Sequence, residues 1–113
     1  MKNHEFYCLH SDLCKTLANP KRQLILDALR NGEVTVGDLV NQTGIPQANV
    51  SQHLSILRNK GIVVARRHGS RVNYSITNPK IIKAFDLISE VLNESLAGQS
   101  RTVNKAVGKT HLA

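Results

Sequence analysis

Aromatic residues are scarce in this chain of 113 residues, which contains two tyrosines, two phenylalanines and no tryptophan. Its core must therefore consist mainly of Leu, Ile and Val side chains. Long hydrophobic runs are also missing, because no segment approaches the roughly 18 apolar residues of a membrane span and the first residues lack the apolar run of a secretory signal. We therefore expect a cytoplasmic protein whose two cysteines are thiols rather than a structural disulfide.

Motifs that support catalysis are absent as well. The sequence has no Ser-His-Asp grouping, phosphate-binding glycine loop, paired carboxylates or metal-hydrolase motif, so we do not expect an enzyme or a small-molecule substrate. The length and the 41% of hydrophobic residues are sufficient for one domain with a single small core. We expect this domain to occupy residues 1–97 and a flexible basic tail to occupy residues 98–113.

Acidic residues are missing from the part of the chain that carries most of its net charge of +7. Residues 46–77 contain five basic and no acidic side chains, and residues 99–113 contain three and none. A local excess of this kind is typical of a surface that binds nucleic-acid phosphates. The alternative is a solvated basic surface that only maintains solubility.

Residues 35–59 have the pattern of a helix-turn-helix. Thr35 is a suitable N-cap, with Asp38 three residues later as the acid of a capping box, and Gly44 ends the helix. Pro46 then starts a second helix in its first turn, where a proline loses no hydrogen bond.

Apolar residues in the second helix recur at i, i+4 and i+7, at Val50, Leu54 and Leu57, which predicts one buried stripe. The opposite face is uncharged and consists of Ala48, Asn49, Gln52, Ser55 and Asn59.

The residues after Gly61 alternate as two strands joined by a tight turn. Val72, Tyr74 and Ile76 face one way, while Asn73 and Ser75 face the other. Gly69 supplies the positive φ of a type II′ turn between the strands. Three arginines crowd the tip of this hairpin: Arg66, Arg67 and Arg71. We therefore predict a winged helix-turn-helix, mainly α, with about five helices and a two-stranded wing.

Helices are expected at both ends of the chain. Apolar residues share one side of residues 5–18, namely Phe6, Leu9, Leu13 and Leu17, and Asn19-Pro20 starts another helix. Asn78-Pro79 opens a long helix to about residue 97, whose apolar stripe is too broad for so small a domain to cover. We therefore predict a homodimer through the terminal helices, with two reading helices about 34 Å apart on a palindromic operator. In the alternative, helices 5–18 and 79–97 pack together within one protomer.

The segments LANPKRQLILDALRNGE at 17–33 and VGDLVNQTGIPQANVSQHLSILRNKGIVVARRHGSRVNYSI at 36–76 resemble the ArsR/SmtB-type winged-helix repressors of bacteria and archaea. The resemblance covers about residues 12–96 and includes the VSQHL core, the Leu-Arg-x-x-Gly-Ile-Val exit and the Arg-x-Gly-x-x-x-x-Tyr wing. It implies a homodimeric repressor that releases DNA when an effector is bound or sensed. Such effectors are often a metal ion, a metalloid or a reactive sulfur or oxygen species.

The resemblance also implies which residues contact double-stranded DNA. Gln47, Asn49 and Gln52 would read base edges, which agrees with the ability of side-chain amides to pair with adenine in the major groove. Ser51 and His53 would contact the DNA backbone or brace the helix. The wing arginines Arg66, Arg67 and Arg71 would bind phosphate or a narrow minor groove.

His53 and Pro46 differ from the other residues of this implied interface. His53 lies beside the buried stripe, so it is either a packed, hydrogen-bonded histidine or a phosphate contact. Family members usually have a serine where Pro46 stands, and the capping hydroxyl of that serine is absent here. A winged helix that contacts RNA or protein is a second hypothesis, although an acid-free helix fits the DNA major groove better than the narrow groove of duplex RNA.

Two metal sites common in the resembled family are missing, because VGDLVNQ contains no Cys-x-Cys and the last helix contains no histidine. The N-terminal helix retains four metal-binding or redox-active residues: His4, Cys8, His10 and Cys14. Six residues separate the cysteines, a rotation of about 120° and a rise of about 9 Å, so neither one ion nor a disulfide joins them on an intact helix.

Two interpretations of these four residues stay open. In one they form a thiol-based metal, metalloid or oxidant sensor, completed by the partner chain or by fraying of the helix. In the other a half-buried Cys14 is a small hydrophobe and Cys8 is incidental.

Overall fold

A computed structural model of the chain describes the backbone of residues 3–102 and the side chains of residues 3–98. In chain order its elements are α1 (His4–Leu17), α2 (Pro20–Ala28), β1 (Val34–Thr35), α3 (Val36–Thr43), α4 (Gln47–Asn59), β2 (Val63–His68), β3 (Arg71–Ile76) and α5 (Lys80–Thr102). The chain up to Pro79 forms one compact unit, and α5 belongs to a second unit that begins at Lys80. The predicted winged helix-turn-helix is confirmed.

Side-chain caps start α2 and α3 where the sequence indicates. The side chain of Asn19 accepts hydrogen bonds from the backbone N–H groups of Lys21 and Arg22, at 2.9 and 3.1 Å. At α3 the capping box is complete, because Thr35 accepts from the N–H of Asp38 and Asp38 accepts from the N–H of Thr35, both at 3.1 Å. These contacts satisfy backbone donors that have no partner within the helix.

Three residues join α3 to α4, as a helix-turn-helix requires. Gly44 ends α3 in the left-handed conformation, with φ 76°. Ile45 is 5% exposed and anchors the turn in the core, a role that the sequence pattern did not indicate. Pro46 is the N-cap of α4 rather than a residue of its first turn, because its ψ of 148° is extended. The predicted helix start is therefore one residue too early.

The core is aliphatic, as the scarcity of aromatic residues predicts. Val50, Leu54 and Leu57 of α4 are at most 1% exposed, so the stripe predicted for this helix is confirmed. The other buried hydrophobic residues among those described are Ile25, Leu26, Leu29, Leu39, Ile45, Ile62 and Val63. Tyr74 is only partly buried and packs against the edge of this cluster.

The sheet has three antiparallel strands in the order β1-β3-β2, one more than predicted. The wing itself is two-stranded, with Val63 opposite Ile76 at its base and His68 opposite Arg71 at its tip. Gly69 has φ 66° in the two-residue loop, which confirms the positive φ expected there. The additional strand, β1, contains only two residues, too few to produce an alternating pattern.

The terminal helices differ from the prediction in length and burial. Helix α5 continues to Thr102, past the helix end predicted at about residue 97, and residues 103–113 of the predicted tail lie outside the described residues. In α1, Leu13 and Leu17 pack against the core, but Leu9 is 68% exposed. No helix within residues 3–102 is long and apolar enough to cross a membrane.

Gly61 ends α4 and directs the chain into the wing. Its φ is 73°, its N–H donates to the carbonyl of Arg58, and the N–H of Ile62 donates to the carbonyl of Leu57. These two bonds form a Schellman motif, which places the buried Ile62 beside the last turn of α4. Gly61 is required for its backbone conformation and not for space, because an added Cβ would meet no atom within 4 Å.

We predict that Gly61→Ala lowers the free energy of unfolding by about 1 kcal/mol, because a Cβ disfavours the left-handed conformation. Urea denaturation monitored by circular dichroism measures this change. Gly37→Ala is the matched control: Gly37 lies in α3 without a positive φ, so the substitution should be neutral or stabilising. Equal stabilities of Gly61→Ala and the wild type would contradict the prediction.

Candidate nucleic-acid interface

The first turns of α4, residues 47–55, expose only uncharged side chains. We call Gln47, Asn49, Ser51, Gln52 and Ser55, all of which are exposed, the reading face. Its orientation follows from the opposite side of the helix, where the stripe of valine and leucine is buried in the core. The side chain of Pro46 makes no capping hydrogen bond, so the first N–H groups of α4 have no side-chain acceptor.

His53 is half-buried beside the reading face and contacts the protein itself. Its Nδ1 lies 3.4 Å from Nη1 of Arg22 in α2. Desolvation, followed by the positive charges of Arg22 and Lys21, lowers the pKa of His53 from its ordinary value of 6.5. The lowered pKa favours an uncharged imidazole at neutral pH, and the contact with Arg22 links α4 to α2. A contact of His53 with DNA stays a prediction.

Arg22 also belongs to this region, although the sequence pattern did not indicate it. Its Nε donates to the backbone carbonyl of Thr16 at 2.7 Å, so one guanidinium connects α1, α2 and α4. The only signal in the sequence is its position in the first turn of a helix, where an arginine is ordinarily solvated. The contact joins residues 31 positions apart, a distance that no local pattern reports.

The wing arginines lie on both faces of the hairpin. Arg66 is opposite Asn73 and Arg67 is opposite Val72 in the register of β2 and β3. Because side chains directly opposite each other share a face and successive ones alternate, Arg66 and Arg71 lie on one face and Arg67 on the other. The predicted single cluster of three arginines at the tip is therefore divided in two. All three side chains are exposed.

Glu33 partly neutralises the face that carries Arg66. Its carboxylate lies 3.8 Å from Nη1 of Arg66 and 3.4 Å from Nε2 of His68, and it accepts a hydrogen bond of 3.2 Å from Nδ2 of Asn73. Within residues 3–98, Arg67 has no carboxylate within ion-pair distance. The same holds for Arg71, so the charges of Arg67 and Arg71 are more available to a phosphate than that of Arg66.

The cysteines of α1 each contact a histidine one turn earlier. The Cys8 Sγ lies 3.5 Å from His4 Nε2, and the Cys14 Sγ lies 3.6 Å from His10 Nδ1. All four side chains are exposed, so the interpretation of Cys14 as a half-buried hydrophobe is wrong. In the described part of the chain no three His, Cys, Asp or Glu side chains are grouped for a metal ion, so each pair supplies two ligands at most.

The sequence model of the bacterial regulatory proteins of the arsR family matches residues 19–64, which include the helix-turn-helix. An HTH-type transcriptional regulator of Mycobacterium tuberculosis is 37% identical over 98 residues, which are 86% of this chain and 86% of the relative. The chain belongs to the arsR family. The nodulation protein NolR of Rhizobium meliloti is 34% identical over 82% of this chain and 76% of its own length.

Solved structures of arsR-type regulators have the same fold. The crystal structure of Rv0081 from Mycobacterium tuberculosis matches with a TM-score of 0.78 and 36% identity, over 86% of this chain and 98% of that one. A winged helix-turn-helix DNA-binding domain from Mycobacterium bovis matches with a TM-score of 0.73 and 31% identity, over 89% and 91% of the two chains. This arsR-family chain is therefore a transcriptional regulator with a winged helix-turn-helix.

The lowered pKa of His53 predicts a specific loss of stability in acid. The unfolded chain binds this proton more readily than the folded one, so the free energy of unfolding decreases as the pH falls through about 6.5. His53→Gln should flatten the dependence of the urea midpoint on pH between about 7.5 and 5.5. Ser51→Ala, an exposed and uncharged change on the same helix, should retain the wild-type slope. An unchanged slope in His53→Gln would refute the assignment.

Proposed function

We propose that this chain is a sequence-specific DNA-binding repressor that acts in the cytoplasm as a homodimer on a palindromic operator. The observation that carries the proposal is the reading face of α4, an exposed and acid-free set of amide and hydroxyl side chains. The other side of the same helix is packed in the core. An α-helix fits the major groove of B-form DNA, where each base pair presents a distinct set of donors and acceptors.

Base reading is assigned to the amides Gln47, Asn49 and Gln52. Such side chains form two hydrogen bonds with one adenine, which distinguishes this base from the other three. The hydroxyl of Ser51 and the first N–H groups of α4 are suited to phosphate oxygens, since they are donors at the positive end of a helix dipole. These contacts set the register of the protein on the duplex.

The wing supplies charge beside the reading face. Arg67 and Arg71 are assigned to phosphates or a narrow minor groove, and Arg66 is assigned a weaker part because Glu33 already neutralises it. Charge of this kind raises affinity for every DNA sequence and makes it depend on salt.

The homodimer is proposed from the surface of α5. Four large apolar side chains of this helix are more than half exposed in the single chain: Leu87, Ile88, Val91 and Leu92. A row of this size along one helix indicates a protein partner. The related Mycobacterium bovis domain is homodimeric. Two copies related by a two-fold axis place two reading helices about one DNA turn apart, which matches a palindrome.

The operator can be found by selecting duplexes from a random-sequence library. Gln52→Ala should then lose about 1–3 kcal/mol of preference at one base position and leave affinity for scrambled DNA unchanged. Arg67→Ala should weaken cognate and scrambled duplexes similarly and reduce the slope of log K against log salt by about one. Titrations at several salt concentrations measure both effects. Equal losses on both duplexes for Gln52→Ala would reject its role, and tighter binding to duplex RNA at matched salt would reject DNA as the partner.

We also propose that the pairs His4–Cys8 and His10–Cys14 sense a thiol-reactive, metalloid or metal effector. Their support is the exposure of both thiols and the imidazole nitrogen within 3.6 Å of each sulfur. Thiolate and imidazole together suit soft and borderline cations.

The double variant Cys8→Ser, Cys14→Ser should bind the operator with wild-type affinity but keep it bound when a soft metal ion, arsenite or a thiol oxidant is added. Release of wild-type protein by one of these agents is the positive control, followed by fluorescence anisotropy of labelled operator. Ser11→Ala, on the same helix, is the matched control and should respond like the wild type. Release of the double variant at the same effector concentration would eliminate the sensor.

A further inference from the structure

One guanidinium connects the end of α1 to the middle of the reading helix. Arg22 lies in the first turn of α2, and its Nε donates to the carbonyl oxygen of Thr16 at 2.7 Å. Its Nη1 lies 3.4 Å from Nδ1 of His53 in α4. Arg22 and His53 are half-buried and Thr16 is buried, so the contacts are shielded from bulk water.

The acceptor in α1 is itself fixed. The carbonyl of Thr16 belongs to the last turn of α1, where carbonyl oxygens have no helical N–H partner. The hydroxyl of Thr16 donates to the carbonyl of Asp12 at 3.1 Å, which holds this residue in place. A positive charge at the C-terminal end of a helix is also favoured by the helix dipole. The contact with α1 therefore orients the guanidinium of Arg22 toward α4.

The contact determines which nitrogen of His53 carries the proton. A guanidinium has only donors, so Nδ1 of the neutral ring must be the acceptor and the proton must reside on Nε2. In this tautomer His53 presents an uncharged N–H donor from α4. A hydrogen bond from such a donor to a phosphate oxygen would strengthen binding without releasing a counterion.

We propose that Arg22 is a positioning residue for the reading helix, which fixes both the placement of α4 and the Nε2–H tautomer of His53 without touching DNA. The proposal rests on the proposed function, in which α4 reads the operator. A second polar contact joins the same helices, because Lys60, the C-cap of α4, forms an ion pair of 2.5 Å with Asp12 of α1. The C-terminal half of α1 thus helps to hold α4 in place through both contacts.

Arg22 and Gln23 provide a matched pair of substitutions. Gln23 is also half-buried in α2 and donates at 2.8 Å to the carbonyl of Leu17, the next residue of α1, but it makes no hydrogen bond with residues 47–59 of α4. Arg22→Met should reduce affinity for the selected operator about tenfold, whereas Gln23→Met should change it less than about twofold. Thermal unfolding of both variants shows whether they lose similar stability.

Arg22→Lys separates geometry from charge. One ammonium cannot replace a planar fork that serves two acceptors, so this variant should also lose about tenfold in affinity although its charge is retained. In all three variants the slope of log K against log salt should equal that of the wild type. A phosphate-contacting arginine would behave differently: Arg22→Lys would bind nearly as the wild type does, and Arg22→Met would reduce the slope by about one. Those results would overturn the proposal.

The tautomer has its own readout, which a merely structural role would not change. Long-range ¹H–¹⁵N spectra of the imidazole rings distinguish a protonated from an unprotonated nitrogen. His53, assigned by comparison with His53→Gln, should show its proton on Nε2 in the wild type and in Gln23→Met, and a mixture of tautomers in Arg22→Met. A wild-type proton on Nδ1 would overturn the proposal.

Binding by the wild type and by the Arg22 variants distinguishes failure of the proposed function from failure of the positioning role. If the wild type binds no duplex at low salt, the proposed function fails together with this inference. If the wild type binds and folded Arg22→Met and Arg22→Lys bind equally well, only the positioning role fails. Should Arg22→Met not fold, Arg22→Lys and the wild-type spectra carry the test.

Discussion

Burial of the apolar stripe of α4 is the interaction on which the rest of this structure depends. Val50, Leu54 and Leu57 are removed from water almost completely, which contributes about 2 kcal/mol for each side chain. Because these side chains occupy one side of the helix, the amides of the reading face must point outward. The packing that stabilises the fold thus also determines that uncharged polar side chains of α4 face a binding partner.

Contacts at both ends and in the middle of α4 then restrict how this helix can rotate and where its ends lie. The turn before it is held by the buried Ile45, and the turn after it by the Schellman motif at Gly61. Between these points, Arg22 of α2 contacts His53, which lies beside the reading face. A helix that reads base edges must be held within a fraction of an ångström, and contacts at both ends and the middle provide such support.

Charge is distributed to serve binding rather than stability. The reading face is uncharged, the acid-free segment 46–77 supplies the positive potential, and Glu33 from outside that segment offsets only one face of the wing. Exposed ion pairs such as Glu33–Arg66 contribute little to folding. Their larger effect is to neutralise part of the charge of Arg66, which leaves Arg67 and Arg71 as the more available cations of the wing.

The helix-turn-helix, the capping box of α3, the buried stripe of α4 and the positive φ of the wing turn could be predicted from the sequence, because each depends on residues within one or two turns of each other. The contact of Arg22 with His53, the contacts of Glu33 in the wing and the pairing of β1 with β3 could not, because they form only when distant parts of the chain meet. These join residues 31 to 40 positions apart, and strand β1 is only two residues long. Local periodicity indicates which face of a helix or strand is apolar. The partners of an isolated charged side chain depend instead on which distant segments the fold brings next to it.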